Sequence, residues 1–383
     1  MSNAPHVSID LAAFTADPYP TLAHLRREAP IAYVPELGAT LFTRRDDIHR
    51  EEKRIHVMSS RQPDGLMTQL MGENMMRKDG DAHMAERRAL FPALSPRTVA
   101  NHWKPIFERA TAQIITDLAP RSACDLVTDF AMPVSAAALI AITGLSGMTH
   151  AEMDRVSQHM LDGVANYTGD PEIEARCNAA TALIDEHITH MMNRAPAQSA
   201  LAVMQGAGLP ETSIRANIML VISGGQNEPR DVIAGTVWAL LTHTEQLDLI
   251  RNGTRTWGDG FGEYVRWNSP IGMSPRLIAQ PDTINGVDFE SGDRVFLMFS
   301  SANRDENYFT EPERFDITRN TSPAIPFGAG PHFCAGSAAS RCLITEIALP
   351  MLFNAFPDLA LTGPAPFTGW AFRGPLSVPV AWT

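Results

Sequence analysis

The stretch Ile325-Pro326-Phe327-Gly328-Ala329-Gly330-Pro331-His332-Phe333-Cys334-Ala335-Gly336 constrains this chain more than any other. One cysteine stands between a glycine-rich turn and the start of a helix. Beyond it, Leu343, Ile344, Ile347, Ala348, Met351 and Leu352 recur at helical spacing. Cys334 therefore sits just ahead of a helix N-terminus, where unpaired N–H groups and the macrodipole favour negative charge. A thiol in such a place tends to ionise, and a thiolate is a metal ligand. Gly328 and Gly330 permit a close backbone approach that side chains would block, as a flat cofactor requires.

The pattern Phe-Gly-x-Gly-x-His-x-Cys-x-Gly, met here at Phe327, Gly328, Gly330, His332, Cys334 and Gly336, resembles the haem-binding loop of the cytochrome P450 family. The plainer alternative is a buried structural cysteine in a glycine-rich turn. The resemblance implies that Cys334 is the proximal thiolate ligand of haem b, iron protoporphyrin IX. Such a ligand pushes electron density onto iron and favours O–O cleavage. The resemblance spans roughly residues 15 to 380. It implies a single domain over residues 1–383, mainly α with small β-sheets. In this cytochrome P450 fold the haem lies between the long central helix and the cysteine-loop helix.

Composition narrows the partners. The 383 residues are 44% hydrophobic and 19% charged, ample for a large core. Length alone would suggest about two or three domains, but no linker, charge block or repeat marks a boundary. A net charge of −12 excludes a general nucleic-acid surface, which needs a basic face. No apolar run approaches the ~18 residues of a membrane span, and Met1 to Asp10 lacks a signal-peptide core. A cytoplasmic protein with no membrane partner is expected. Cys124, Cys177, Cys334 and Cys342 show no C-x-x-C pairing, which points to reduced thiols without a disulfide framework or zinc site.

Short strands are expected at Ile31–Val34 and Thr40–Thr43. Residues 58–79 lack a clear period and carry Met67, Met71, Met75 and Met76. By position they resemble the family's substrate-covering loop, for which adaptable methionines are suited; core filling is the alternative. The segment Asp81 to Arg88 opens a helix that puts His83 and Arg87 on one face, four residues apart. By resemblance they bind a haem propionate, a carboxylate that needs charged partners when buried. Apolar periodicity predicts helices over 106–118, 131–142, 153–167 and 180–192. Asn166 to Pro171 reads as a loop, and Val164 and Tyr167 as ordinary packing.

Glu211 to His243 is the longest helical pattern, interrupted by Ser223-Gly224-Gly225-Gln226-Asn227-Glu228-Pro229-Arg230-Asp231. Glycine and proline inside a helix cost about 1 and 3 kcal/mol each, and proline kinks it. A defect in an otherwise regular helix suggests a functional groove. The family's oxygen-binding groove has the pattern Ala/Gly-Gly-x-Asp/Glu-Thr. Aligned on Gly224 and Gly225, Asn227 takes the acid position and Glu228 the alcohol position, a departure from the family. A desolvated Glu228 carboxyl has a raised pKa and can shuttle a proton, with Gln226 and Asn227 orienting water or the carboxylate. This combination points to a peroxide-driven reaction, beside or instead of a reductase-driven cycle; the plainer alternative is a Glu228 turned away into a structural ion pair. Gln-Asn-Glu here is similar to a minority of bacterial members that O-demethylate methoxyphenols.

Glu263-x-x-Arg266 matches the family's Glu-x-x-Arg ion pair, and Arg304 resembles the region that completes that buried network. By resemblance Arg276 is the second propionate ligand and His332 the third, with Phe327 and Gly336 also holding the cofactor. Ile271, Met273, Gly224 and Phe372 are candidate pocket residues. Pro281 to Phe296 reads as a β-hairpin. Glu311 to Asp316 leads up to the cysteine loop, and Phe367 to Val380 closes with a β-turn.

No dinucleotide fingerprint or iron–sulfur cysteine set appears. Electrons are therefore expected from a separate ferredoxin and reductase, or oxidant from hydrogen peroxide. Arg87, Arg88, Arg97 and Arg341 are a candidate docking patch for an acidic partner. The reading is a haem-thiolate monooxygenase or peroxygenase acting on a small aromatic substrate. The alternatives are a haem-binding sensor, a catalytically impaired relative, or a hydroxylase of another small apolar compound such as a terpenoid.

Overall fold

The computed structural model describes residues 2–166 and 169–383; Tyr167 lies outside the described residues. Contacts gather into two units, each drawn from three stretches of chain. One comprises Met1–Arg61, Gly235–Cys334 and Ala365–Leu376; the other comprises Gln62–Ala234, Ala335–Pro364 and Ser377–Thr383.

The first unit is built on a five-stranded sheet. Its strands run in the order Ile31–Val34, Ala39–Phe42, Arg294–Leu297, Ser274–Ile278 and Met58–Ser59. The first two are antiparallel, with Ile31 opposite Phe42, and the turn between them closes at Gly38 with φ 58°. The expected strand at Thr40–Thr43 thus begins and ends one residue earlier. Every residue of Ala39–Phe42 is buried, as a central strand covered on both faces should be. Phe14, Leu22, Leu25, Ile48, Phe289 and Phe296 pack into the same core.

The expected hairpin over Pro281–Phe296 is shorter in the structure. Asp282–Ile284 pairs with Val287–Phe289 across Asn285 and Gly286, both with positive φ (52° and 81°), a type I′ arrangement. Arg294–Leu297 leaves that hairpin for the large sheet. The helix Trp257–Trp267 carries Glu263 and Arg266 and begins with a capping box between Thr256 and Asp259. Near the C-terminal end of this unit, Phe367–Thr368 pairs with Gly374–Pro375.

The second unit is mostly helical. Its main helices are Gly80–Leu94, Lys104–Leu118, Met132–Thr143, His150–Val164, Pro171–Met191 and Glu211–Ser223. A small sheet joins Ala123–Asp125, Pro379–Ala381 and Ala360–Leu361. The aperiodic segment 58–79 contains a helix after all, Leu66–Met71, short enough to hide its period. Met71 and Met75 are buried and Met76 is exposed, so the methionines divide between core and surface. The absence of a span-length apolar run also needs correction. A wide turn over Leu126–Ala131 continues into Met132–Thr143, giving an 18-residue apolar helix. Its Leu126, Val127, Phe130, Val134, Leu139 and Ile142 are buried within this unit.

Candidate functional site

The cysteine loop is shaped by its own backbone. Gly328 and Gly330 adopt φ of 72° and 65°, the left-handed region open to glycine. A Cβ on Gly330 would stand 2.8 Å from the Glu52 carbonyl, so the loop packs closely on that residue. The Cys334 amide donates to the Phe327 carbonyl at 3.0 Å. A helix starts at Ser337, widens over Cys342–Ala348 and continues as Leu349–Ala355. The expected position of Cys334 just ahead of a helix holds. Burial pushes the other thiols up, to about 12 for Cys124 and about 11 for Cys177 and Cys342. Those three stay protonated.

Arg276 is buried beside this loop. Its NH2 donates to Glu52 Oε1 at 2.5 Å, and its NH1 to Ser274 Oγ at 2.5 Å and the Pro275 carbonyl at 2.9 Å. Its Nε is buried without a partner. The second oxygen of Glu52 accepts from the Ala329 amide at 3.2 Å. Glu52 therefore ties Arg276 to the cysteine loop. Nothing in its local sequence announced this, because the partners are more than 200 residues away.

Ile271 and Phe372 meet in an isolated β-bridge, and Ile271, Met273 and Trp370 pack on the core of the first unit. Gly272 is required there: a Cβ would lie 1.9 Å from the Trp370 carbonyl. Gly224 belongs to the second unit and is exposed.

The Glu263–Arg266 pair is fully buried and bidentate at 2.6 and 2.7 Å. Arg266 also donates to the carbonyls of Asn303, Pro312 and Arg314. The expected third member, Arg304, stands outside this pair. Its guanidinium covers the Tyr19 ring at 3.4 Å, donates to the Trp267 carbonyl at 2.7 Å and pairs with Glu313. Arg319 instead approaches Glu263 Oε1 at 3.4 Å. The neighbouring Asn303 joins through its backbone, so the expected segment participates through a different atom.

In the second unit, His83 and Arg87 share a face of the helix Gly80–Leu94. His83 is buried, and its Nδ1 lies 2.8 Å from the Met75 carbonyl. Because a carbonyl only accepts, Nδ1 carries the proton there. On the same helix, buried Glu86 accepts from Lys78 Nζ at 2.6 Å, Asn217 Nδ2 at 2.9 Å and Ser213 Oγ.

The long helical pattern is a pair of helices, Glu211–Ser223 and Asn227–Thr242, separated at Gly224–Gln226. Pro229 consequently falls in the first turn of the second helix and costs little, because its missing N–H would be unpaired there. The internal-helix penalty expected from the sequence does not arise. A Cβ on Gly225 would stand 2.4 Å from the Val221 carbonyl, which explains a glycine at the break.

The three residues after the glycines take different roles. Gln226 is fully buried, and its Nε2 donates to Asp154 Oδ1 at 3.1 Å and the Met132 carbonyl at 3.4 Å. Ser135 Oγ donates to the Gln226 carbonyl at 2.7 Å. Asn227 Nδ2 reaches Gln158 Oε1 at 3.5 Å. These amides anchor the break to the helices Met132–Thr143 and His150–Val164. Glu228 is half-buried as a residue, but both carboxylate oxygens are buried and meet no hydrogen-bond donor from another residue. Burial pushes its carboxyl up to about 7, opposed by its own helix-start amide, reinforced by Asp231 and opposed by Arg230.

Comparison with known proteins agrees with this geometry. A sequence profile described as Cytochrome P450 matches residues 261–356. Cytochrome P450 107B1 of Saccharopolyspora erythraea is 28% identical, over 96% of this chain and 96% of its own. The methyl-branched lipid omega-hydroxylase of Mycobacterium tuberculosis is also 28% identical, over 94% of this chain and 90% of its own. The chain resembles the cytochrome P450 family, through the profile in its cysteine-loop region and through these relatives along nearly its whole length.

The fold matches crystal structures of P450s. P450BioI, in complex with an acyl carrier protein ligated to hexadec-9Z-enoic acid, superposes with a TM-score of 0.88 at 23% identity, covering 97% of this chain and all of that one. Epothilone B-bound P450epoK gives 0.87 at 21%, over 97% and 98%. That likeness marks the protein as an oxidoreductase of the monooxygenase type with haem b as its cofactor. Members of the family act on an organic substrate and generally draw electrons from partner proteins. The residues present fit the cofactor: a half-buried Cys334 on a left-handed glycine loop, and a buried Arg276 Nε with no acceptor.

Proposed function

We propose that this P450 runs a peroxide-driven oxidation in which Glu228 handles the proton, and that its substrate is a small methoxylated phenol. Cys334 is assigned as the thiolate ligand. His83, Arg87, Arg276 and His332 are assigned to the propionates, with Phe327 and Gly336 against the porphyrin. When bound, the haem supplies the iron centre at which oxygen is activated. One observation carries the reading: Glu228 holds a buried carboxyl with both oxygens unpartnered, where the family usually has a threonine.

A carboxylate with pKa near the working pH is suited to take a proton and return it. Glu228 takes the proton from one peroxide oxygen and delivers it to the other, so that water leaves. Gln226 and Asn227 hold the helix break and so fix the direction in which Glu228 points. Hydroxylation of the methoxy methyl yields a hemiacetal, which collapses to formaldehyde and a phenol. Methoxyarene and peroxide thus become phenol, formaldehyde and water. The substrate class rests on the likeness of Gln226-Asn227-Glu228 to that of demethylating members. A second reading, hydroxylation of a longer apolar chain, draws on the lipid hydroxylase relative.

The test supplies peroxide and a methoxyphenol, without reductase, to the wild type and Glu228→Gln. Equal formaldehyde release would remove Glu228 from the chemistry. A haem absorption shift with fatty acids and none with methoxyphenols would favour the second reading.

A further inference from the structure

Glu228 does not stand alone. Asp231 is one turn further along the same helix and is 9% exposed. Arg230 Nε donates to Asp231 Oδ1 at 2.9 Å, and its NH1 donates to Asp154 Oδ1 at 3.1 Å. Asp154 lies on the helix His150–Val164, and its side chain keeps 26% of its surface in solvent. The same Asp154 oxygen accepts from Gln226 Nε2. One guanidinium thus bridges the buried Asp231 and the solvent-touching Asp154, and the unpartnered Glu228 carboxyl stands three residues before Asp231 on the same helix.

We propose that Glu228 and Asp231 form a shared proton store, one proton between two carboxyl groups, exchanged with solvent through a gate made of Arg230 and Asp154. The proposal rests on Glu228 as the proton-handling group and adds where its resting proton goes when the carboxylate is needed. Two like charges one turn apart in a poorly solvated place do not ionise independently, so their protons come off in two separated steps. The charges acting on the pair are Arg230 and, through Asp231, Asp154. Burial pushes Asp231 up as well, to about 6, against the pull of Arg230.

Arg230 stays charged throughout and relays no proton. To free the Glu228 carboxylate, its proton moves to Asp231, loosening that residue's bond to Arg230, which then turns wholly to Asp154. The proton leaves Asp231 to water as hydronium. Asp231 is again an anion, and Arg230 closes on it. Gln226 is an anchor in this arrangement, because both its donor contacts are spent on Met132 and Asp154.

The experiment follows the carboxylic-acid carbonyl stretch of the haem-loaded protein by infrared titration, in wild type, Glu228→Gln, Asp231→Asn and Asp154→Asn. The wild type should titrate in two separated steps. Asp231→Asn should move the Glu228 step to lower pH, and Glu228→Gln should do the same to the Asp231 step. Asp154→Asn leaves the buried pair in place and guards against a misfolded Asp231→Asn; it gives Arg230 wholly to Asp231 and should lower that step. The acid limb of the peroxide-driven rate should shift to lower pH in Asp231→Asn, which a merely structural role would not produce. Steps that stay put in every variant overturn the shared store. If Glu228→Gln leaves peroxide turnover unchanged while the two infrared steps persist in wild type, the functional reading fails and the proton store survives.

Discussion

Glu263 and Glu228 are both buried acids on helices, and they could hardly be treated more differently. Glu263 accepts two bonds from Arg266 and one from the Asp316 amide, with Arg319 close by. Both its oxygens are occupied and its charge is matched. Glu228 has neither. A buried carboxylate with full partners stays charged and fastens the chain around it. A buried carboxyl without partners is inclined to keep its proton and is free to give it away. The first arrangement locks structure; the second, at a cost in stability, leaves a group able to exchange a proton.

The comparison breaks most visibly at Glu263. Replacing it by alanine leaves Arg266 charged and buried, which should cost about 3–5 kcal/mol. The denaturant midpoint should fall steeply and little haem-loaded protein should be recovered; a wild-type midpoint would deny the pair its structural role.

The next effect is one of pH. The Glu228 carboxyl titrates at about 7 in the folded chain, against an ordinary 4.5. The folded state therefore holds a proton that the unfolded chain releases. That stabilising share is whole below about pH 4.5 and is lost as pH rises through about 7. Wild type should lose on the order of 3 kcal/mol relative to Glu228→Gln across that window. Parallel urea midpoints for the two proteins would show that Glu228 is not strained in this way.

A third test reads rate. Glu228→Gln should fold as well as wild type yet lose peroxide-driven turnover by roughly 100-fold, the ordinary yield of a positioned acid–base group. The smallest effect is expected at Pro229. In the first turn of a helix, Pro229→Ala should cost only about 0.4–1 kcal/mol, through the freer unfolded chain. A gain near 3 kcal/mol would mean that the helix runs unbroken through that residue.

What the sequence disclosed follows the range of the forces involved. The cysteine loop, the helix behind it and the strand Ile31–Val34 depend on neighbouring residues, so they could be read in order. The His83–Arg87 face and the Glu263–Arg266 spacing obey helix geometry and were equally open. The helix Leu66–Met71 is too short for its period to show. The apolar run from Leu126 to Thr143 escaped because its wide turn disguises continuity. Arg319, Glu52, Asp154 and Asp231 declare nothing locally; their roles come from partners brought in by folding. The helix restart at Asn227 was half-visible, as a defect of the wrong kind: the glycines end one helix, and the proline opens the next.

Glu52 divides one carboxylate between two errands, since Oε1 faces Arg276 and Oε2 faces the Ala329 amide. Any acid that competes for Arg276 therefore loosens one arm of a joint whose other arm grips the backbone five residues ahead of Cys334. The sulfur's seat and the arginine's occupancy move as a lever and its load. Replacing Glu52 by alanine would release both ends together.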